Sequence, residues 1–509
     1  MKHLAAAAAW IAALLCGSAL ASDDAAPGFK PPEGLAMVNR LSWGGIGQIP
    51  DGLTARQWLD QQLRPGQDGA LPPEVQARIN ALEISRTPLA DIAAQLRDLR
   101  MQARAAKDSG EDIKEARKPY RQMLVKLALE AQTRSLLRDL YSRNQLKERL
   151  DWFWLNHFNV YARKGEIAGL VGDFEERAIR PNVLGKFRDL LAATVIHPAM
   201  IQYLDNQQNA AGKLNENYAR EIMELHTMGV GSGYTQKDVQ ELARILTGVG
   251  VNLSGRPRPF ARRVNADYRT NVGNGGLFEF IPRRHDYGDK QFLGYTIRGS
   301  GLKEVAQAID ILAHQPATAR HISTELAQYF CCDDPPKSLV DAMAATFLGS
   351  DGDIAAVLRT LFDSREFAAS LGRKFKDPMQ WTISALRASF ADRPIANLVP
   401  VSQMLNRLGE PLYGHETPDG YSMAEAAWAG PGQMQTRFEI ARQIGAGAPR
   451  LFQGSDGDAP TRASPPVLEQ TAYFQSLRLA DATRSAIDHG ASAADRNMLF
   501  LSSPDFMRN

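Results

Sequence analysis

Apolar and polar residues alternate with helical periodicity along most of the chain. Two long stretches, residues 85–107 and 112–147, combine regularly spaced apolar positions with many Arg, Lys, Glu and Asp residues. This pattern is typical of a helical hairpin with one solvated face. Similar periodicity indicates helices in further segments, at 54–63, 151–161, 185–205, 215–227, 235–247 and, with breaks, 302–390. The chain is therefore predicted to be mostly α, a large multi-helix globular protein.

One segment, residues 251–299, departs from the helical pattern. It is rich in Gly, Arg and Asn, and apolar and polar residues alternate at 277–281 and 291–297. Alternation of this kind favours short strands. We therefore predict a β-containing insertion with a small β-hairpin near 277–297.

The same patterns suggest how the chain is organised. Residues 22–35 are polar and rich in Pro and Gly, as in a linker, and residues 453–466 have the composition of a flexible loop. Between these, we expect one large helical domain over 36–509, with lobes at 36–250 and 300–509 on either side of the insertion.

The N-terminal segment has the pattern of a secretory signal peptide. Lys2 supplies a positive start, Leu4–Leu15 is an apolar stretch too short to span a bilayer, and Ala19-Leu20-Ala21 fits a cleavage site. We expect cleavage after Ala21, which makes residues 1–21 the signal peptide. No later stretch has the apolar length of a transmembrane helix. The mature protein is therefore expected to be soluble in the periplasm or secreted.

Composition narrows the class of protein. Hydrophobic residues make up 44% of the 509 residues, enough for a sizeable core, and charged residues make up 23%. The formal net charge is +2, with acidic and basic residues interspersed. Such a balance argues against a nucleic-acid partner, which would require a basic stripe or run.

Cysteines are too few for a disulfide scaffold. Cys16 lies in the signal peptide, where lipid attachment would need a small preceding residue and Leu15 is large. The mature chain keeps only Cys331 and Cys332, whose adjacent Cα atoms are about 3.8 Å apart, below the usual disulfide range. Two interpretations remain: a redox-active vicinal pair, or two small apolar residues at a helix end.

The segment 215–227 is the most suggestive candidate site. If it is a helix, Asn217, Glu221 and Glu224 lie on one stripe, at positions i, i+4 and i+7, with Arg220 beside them. Such a stripe could bind a metal or perform acid/base chemistry, with Arg220 holding an anionic group. It could equally be an amphipathic helix whose carboxylates pair with arginines. Its spacing matches no zinc-binding or di-iron motif.

Histidines and one loop supply the other candidates. His285, Asp286 and Lys290 lie in the loop of the predicted hairpin, and loops on a rigid scaffold often hold sites. The alternative is a loop held by Asp turn chemistry. His157 lies on an aromatic helical stripe, and His226 borders the apolar stripe of the segment 215–227, so both are binding candidates. For His157 the structural alternative is a hydrogen-bonded core histidine.

Other motifs have structural explanations. Gly229–Gly233 resembles a phosphate loop but follows a helix, so it is better explained as a helix stop. Thr235 with Asp238 predicts a capping box. Asp351-Gly352-Asp353 fits a helix cap better than a calcium loop, because the later ligand positions are absent. The chain has no Gly-x-Ser-x-Gly elbow and no Ser-x-x-Lys motif, so no nucleophile stands out.

These residues resemble the bacterial family catalogued as domain of unknown function 1800. The resemblance rests on motifs spread over most of the mature chain: Arg40–Gly44, Trp58–Leu63, Phe153–Val160, Asn217–Glu221, His226-Thr227, Gly233–Gln236, Glu241–Arg244, Leu246–Gly248, His285-Asp286, Lys290, Leu293-Gly294, Asp334–Pro336, Phe375-Lys376, Gly420-Tyr421 and Trp428. Trp43, where Phe is commoner, and the Cys331-Cys332 pair depart from the family pattern.

The resemblance implies an exported helical protein without an established activity. Genes of the family often neighbour those of a second secreted family that is similar to sulfatases and alkaline phosphatases. This association implies a partner in envelope or extracellular-polymer processing. It names no cofactor and no metal.

Two hypotheses follow. The first is a helical accessory or scaffold protein that acts with a secreted partner, since no nucleophile or metal spacing is recognisable. The second is a metal-assisted or acid/base hydrolase with Glu221, Glu224, His285 and Asp286 as catalytic candidates. A His285-Asp286 loop that folds over the acidic stripe within a cleft would favour the hydrolase. Carboxylates that each pair with an arginine in a closed interior would favour the accessory or scaffold protein.

Overall fold

A computed structural model describes residues 33–64, 71–108, 112–253, 277–391, 393–453 and 464–509. The predicted signal peptide and most of the linker 22–35 and of the loop 453–466 lie outside these ranges, so those predictions remain untested.

Helices dominate the described residues, which confirms the mostly α prediction. In the first half of the chain they are α1 (Glu33–Leu41), α2 (Ala55–Gln62), α3 (Pro73–Ala81), α4 (Glu83–Arg86), α5 (Leu89–Asp108), α6 (Ile113–Ala116), α7 (Lys118–Tyr141), α8 (Gln145–His157), α9 (Val171–Asp173), α10 (Phe187–Val195), α11 (Pro198–Tyr203), α12 (Asn217–Glu224) and α13 (Gln236–Ile245). A π-helical turn, Phe174–Ile179, continues α9.

The second half of the chain is also mostly helical. Its helices are α14 (Lys303–Ala313), α15 (Pro316–Phe330), α16 (Lys337–Gly349), α17 (Ile354–Phe362), α18 (Arg365–Ser370), α19 (Pro378–Phe390), α20 (Val399–Arg407), α21 (Glu425–Trp428), α22 (Pro431–Gly445), α23 (Ala472–Ser476), α24 (Asp481–Asp488), α25 (Ala493–Leu501) and α26 (Pro504–Met507).

Two small antiparallel sheets lie in the described part of the predicted insertion and just before it. Strand β1 (Val249–Val251) pairs with β2 (Phe278–Phe280), and β3 (Lys290–Phe292) pairs with β4 (Tyr295–Ile297). The β3–β4 pair confirms a small hairpin within 277–297. The alternating stretch 277–281 pairs instead with β1, so His285 and Asp286 lie between β2 and β3 and not, as predicted, in the loop of a hairpin.

Local side-chain chemistry explains where several helices begin. Thr235 and Asp238 form the predicted capping box at the start of α13. The Asp353 carboxylate accepts a hydrogen bond from the Ala356 N–H at the start of α17. His197 caps α11 by accepting a hydrogen bond from the Ala199 N–H. These contacts satisfy backbone donors that the first helical turn leaves unpaired.

Contacts group the described residues into two compact units. One contains the described residues of 1–59, 368–411 and 422–509, and the other those of 60–367 and 412–421. Folding of 36–250 and 300–509 as separate lobes stays a prediction. The core of the first unit includes the buried Trp381, whose indole N–H donates to the Leu501 carbonyl at 3.2 Å. The buried Arg437 guanidinium lies over the same indole ring.

The second unit contains every candidate site residue. Its core includes the predicted aromatic stripe of α8, where Trp154 and Phe158 are buried against Phe187. The Trp154 indole N–H donates to the Val183 carbonyl at 3.1 Å. Burial of each of these large rings stabilises the fold by roughly 3–5 kcal/mol. Helix α8 is therefore a rigid support for the neighbouring histidines.

Candidate functional site

Helix α12 forms the predicted acidic stripe. Tyr218, Ala219, Ile222 and Met223 are buried on its inner face, and the Tyr218 hydroxyl donates to the Val195 carbonyl at 2.7 Å. The polar positions therefore lie on the outer face, as the 3.6-residue period requires.

Arg220 is the centre of an ion network on that outer face. Its guanidinium lies 3.2 Å from the Glu224 carboxylate and 3.3 Å from the Glu216 carboxylate, one helical turn away on either side. It also donates to the Gln236 side chain at 2.8 Å. Glu224 is thus partnered by arginine, which agrees with the structural interpretation of that residue.

Glu221 differs from its neighbours. Its half-buried carboxylate makes no hydrogen bond or ion pair in the described part of the chain. Burial raises the pKa of Glu221, the Glu224 carboxylate raises it further, and Asp419 adds to the effect against the opposing charge of Arg220. A half-buried carboxyl group with a raised pKa has the character of a proton donor. Asn217 is exposed and donates to the Leu204 carbonyl at 3.3 Å.

A loop from the distant sequence, Leu412–Tyr421, brings Asp419 into the electrostatic environment of Glu221. The Tyr203 hydroxyl donates to the Glu416 carbonyl at 2.7 Å. The Asn159 amide donates to the Thr417 carbonyl at 2.7 Å and the His415 carbonyl at 3.1 Å. These bonds hold the loop against α8 and α11. Asp419 itself accepts a hydrogen bond from the Thr417 hydroxyl at 2.5 Å.

Tyr203 completes this acidic environment. Burial raises the pKa of Tyr203, and the carboxylates of Glu221 and Asp419 raise it further. The hydroxyl therefore remains a hydrogen-bond donor at neutral pH. Sequence reasoning missed Tyr203 and Asp419 because they lie outside the segment 215–227, and nothing in their local pattern signals the contact.

A second group contains three neighbouring histidines, two of which contact one carboxylate. His157 Nδ1 lies 2.6 Å from one Glu325 oxygen, and His321 Nε2 lies 3.5 Å from the other. The His157 ring centroid is 5.9 Å from that of His226 and 6.3 Å from that of His321. The structure therefore brings together the two predicted binding histidines and adds two residues from α15.

The residues of this histidine cluster (His157, His226, His321 and Glu325) differ in their hydrogen bonding. His157 is a hydrogen-bonded core residue, because its Nε2 also meets the His226 carbonyl at 3.2 Å. His226 is buried and its Nε2 has no hydrogen-bond partner among the described atoms. Burial lowers the pKa of His226, and the charges of His157 and His321 lower it further. The neutral imidazole is therefore the stable form at this position.

His285 and Lys290 belong to a third group, centred on Glu304 of α14. His285 Nε2 lies 3.0 Å from one Glu304 oxygen, and the Lys290 ammonium pairs with the other oxygen. The side chains of all three residues have 0% exposure. Burial would raise the pKa of Glu304, but the hydrogen bonds from His285 and Lys290 and from two backbone N–H groups outweigh it and lower the pKa.

Asp286 is held by a different partner. Arg244 of α13 binds its carboxylate through Nε at 2.8 Å and Nη2 at 3.2 Å, a bidentate pair. The Gly288 N–H donates to the same carboxylate at 2.9 Å. The Arg244 contact and burial act in opposite directions, and the former prevails, so the pKa of Asp286 is lowered to about 2.

The structure therefore separates the predicted site into distinct groups. The described hydrogen-bond and ion-pair partners of His285, Asp286 and Lys290 are Thr247, Glu304, Arg244 and backbone groups of their own loop, not the acidic residues of α12. No set of three His, Cys, Asp or Glu side chains within the described residues has an arrangement that could hold a metal ion.

The vicinal cysteines lie at the C-terminal end of α15. Cys331 is buried, and its Sγ is 3.2 Å from the Sγ of Cys332, well beyond a disulfide bond length. The two cysteines therefore form no disulfide with each other. Across the described part of the chain, no helix combines the length and the apolar character required to cross a membrane.

Comparison with known proteins places most of the chain in one family. A family model described as "Protein of unknown function (DUF1800)" matches residues 36–508. No curated protein and no solved structure matches the chain with significance.

Proposed function

Because the chain belongs to the DUF1800 family, we propose that it is a non-catalytic helical accessory protein that acts outside the cytoplasm with a secreted partner. The observation that supports this most is the complete burial of His285, Lys290 and Glu304 in one ion-paired group. When buried charged groups satisfy one another, the loss of any one of them destabilises the fold, which is a structural role, whereas a catalytic group needs access to substrate.

The other loop candidate has a similar structural role. The bidentate contact with Arg244 holds the pKa of Asp286 at about 2, far below the value that suits a general base at neutral pH. Asp286 and Arg244 together connect the segment between β2 and β3 to α13. Glu224 is likewise engaged by Arg220.

The proposed location and partner rest on sequence. The positive start, the apolar stretch and the small residues before the expected cleavage point support export. The gene neighbourhood implied by the family resemblance supports a secreted partner that is similar to sulfatases and alkaline phosphatases. The role we propose is assistance in envelope or extracellular-polymer processing.

The test combines the mature chain with that sulfatase-like protein, each purified separately. Hydrolysis of sulfate and phosphate monoesters is measured for each protein alone and for the mixture, and complex formation is followed by size-exclusion chromatography. We expect no hydrolysis by the chain alone, co-elution of the two proteins, and a several-fold gain in the activity or lifetime of the partner. Absence of both co-elution and gain would overturn the proposal.

A second candidate function is acid/base hydrolysis at Glu221. It is favoured by one observation: this carboxyl group is half-buried, makes no ion pair in the described residues, and shares its surroundings with Asp419 and Tyr203. The same assays distinguish the two functions. Hydrolysis by the chain alone that disappears in Glu221→Gln, although the unfolding temperature does not fall, and that stays normal in Glu216→Gln would establish the second and exclude the first.

A further inference from the structure

A polar cavity of about 420 Å³ lies in the second unit, away from the groups described above. Helix α4, the start of α5, the middle of α7 and the segment from Ala168 to Arg177 surround it. Its volume falls in the range of about 300–1,000 Å³ that small-molecule sites occupy. Pockets of this kind are commonly lined by apolar residues, so a cavity with six charged side chains in its lining indicates a charged ligand.

Arginines outnumber acidic residues in that lining. The charged residues that face the cavity are Arg86, Arg134, Arg138, Arg177, Asp173 and Glu176. Four guanidinium groups thus oppose two carboxylates, which gives the lining a net charge of +2. A cationic concavity with low-dielectric walls concentrates anions.

Glu176 shows how strong the positive potential is. Arg138 binds its carboxylate in bidentate fashion at 2.6 and 3.0 Å, and Arg134 Nε lies 3.2 Å away. Burial would raise the pKa of Glu176, but the surrounding arginines lower it to about 2. One carboxylate therefore faces more guanidinium charge than it neutralises.

Arg86 and Arg134 contribute to the cavity in different ways. Arg134 is 3% exposed, pairs with Glu176 and donates to the Gly172 carbonyl, so it contributes positive charge and not a free donor. Arg86 is exposed at the rim and makes no hydrogen bond or ion pair within the described ranges. Its guanidinium donors are therefore available to an anion in the cavity.

The neutral residues of the lining agree with this. Ser85, Thr87, Gln76 and Asn80 add hydroxyl and amide groups at the side formed by α3 and α4. These groups suit the hydroxyls or ring oxygens of a polar organic moiety. The volume also exceeds the needs of a bare oxyanion.

We propose that this cavity binds a small polar molecule through a doubly charged oxyanion, a phosphate or sulfate group. Arg134 and Arg138 are engaged by Glu176 and supply positive potential, whereas the guanidinium groups of Arg86 and Arg177 at the exposed rim donate to the oxyanion. This site is independent of the accessory role proposed above, and neither proposal fails with the other.

Isothermal titration calorimetry of the mature chain tests the site with inorganic sulfate, inorganic phosphate, glucose 6-sulfate and glucose 6-phosphate. We expect saturable binding of one molecule per chain that weakens as sodium chloride is added. Esters that bind at least tenfold more tightly than the inorganic ions would identify a polar organic ester as the ligand. Equal affinities would identify the free oxyanion, and both results support the site.

Substitutions at the rim locate the binding. Arg86→Gln and Arg177→Gln each remove a donor at an exposed position, so the fold is retained, and we expect each to weaken binding by about tenfold or more. Arg104→Gln is the matched control, because Arg104 is exposed on α5 and does not line the cavity. Binding that survives both rim substitutions, or no binding of any of the four probes at low salt, would overturn the proposal.

Discussion

His285 Nε2 lies 3.0 Å from Glu304 Oε1, and solvent reaches neither side chain. The other Glu304 oxygen pairs with Lys290, which is equally buried. Since His285 belongs to the segment between β2 and β3, Lys290 to β3 and Glu304 to the first turn of α14, this buried triad joins three parts of the chain. Its position at the helix N-terminus also favours the negative charge of Glu304. The buried contacts with Glu304 therefore fix the position of the loop that contains two of the catalytic candidates.

Acid should weaken the contact between Asp286 and Arg244. The folded pKa of Asp286, about 2, is lower than the unfolded value, so its contribution to stability is present above about pH 4 and lost as the pH falls toward 2. We expect Asp286→Asn to lower the free energy of unfolding at pH 7 by about 1 kcal/mol, a value reduced for solvent screening. The difference between the two proteins should shrink between pH 4 and pH 2. Urea titrations at several pH values measure it, and a difference independent of pH would contradict this account.

His226 should make the stability depend on pH at higher pH values than Asp286 does. Its folded pKa is lowered by burial and by His157 and His321, so below pH 6.5 the unfolded chain binds a proton that the folded chain does not. Stability then falls with falling pH, by about 1 kcal/mol between pH 7 and pH 5.5 from this group. His226→Phe, which keeps an aromatic ring, should show a shallower decline. The exposed His489→Asn serves as control, and equal slopes in all three proteins would refute the prediction.

Replacement of Glu221 by Gln and of Glu216 by Gln should change the stability of the protein in opposite directions. The pKa of Glu221 is raised, so its charged form is disfavoured at pH 7, and Glu221→Gln should stabilise the protein by a few tenths of a kcal/mol. Glu216→Gln removes an ion pair with Arg220 and should destabilise it by a similar amount. Differential scanning calorimetry at pH 7 compares the two unfolding temperatures. A loss of stability in both variants would contradict the assignment of Glu221.

Much of the fold follows from local sequence chemistry. The capping box of Thr235 and Asp238 and the cap at Asp353 were predictable because each uses a side chain within three residues of the backbone donor it satisfies. The α12 helix was predictable because its apolar residues recur at helical spacing. Two candidate residues, His157 and His226, also come together in the structure.

The remaining features depend on contacts between distant segments. Glu304 follows Lys303 at the start of a helix, where an acidic residue usually faces solvent, and its burial reflects a contact with His285 and Lys290 that helical periodicity does not encode. His321 and Glu325 lie one turn apart on α15, a spacing that resembles an ordinary surface pair. Periodicity identifies the buried face of a helix but not which segment covers it.

The free energy of unfolding of Glu304→Gln at pH 7 tests most directly whether the buried triad holds the fold. Removing one partner of a buried ion pair leaves the others uncompensated, so we predict a loss of about 3 kcal/mol or more. Glu74→Gln, at an exposed position, is the matched control and should change the free energy by less than about 0.5 kcal/mol. A Glu304→Gln protein as stable as the Glu74→Gln protein would contradict the structural role assigned to His285 and Lys290.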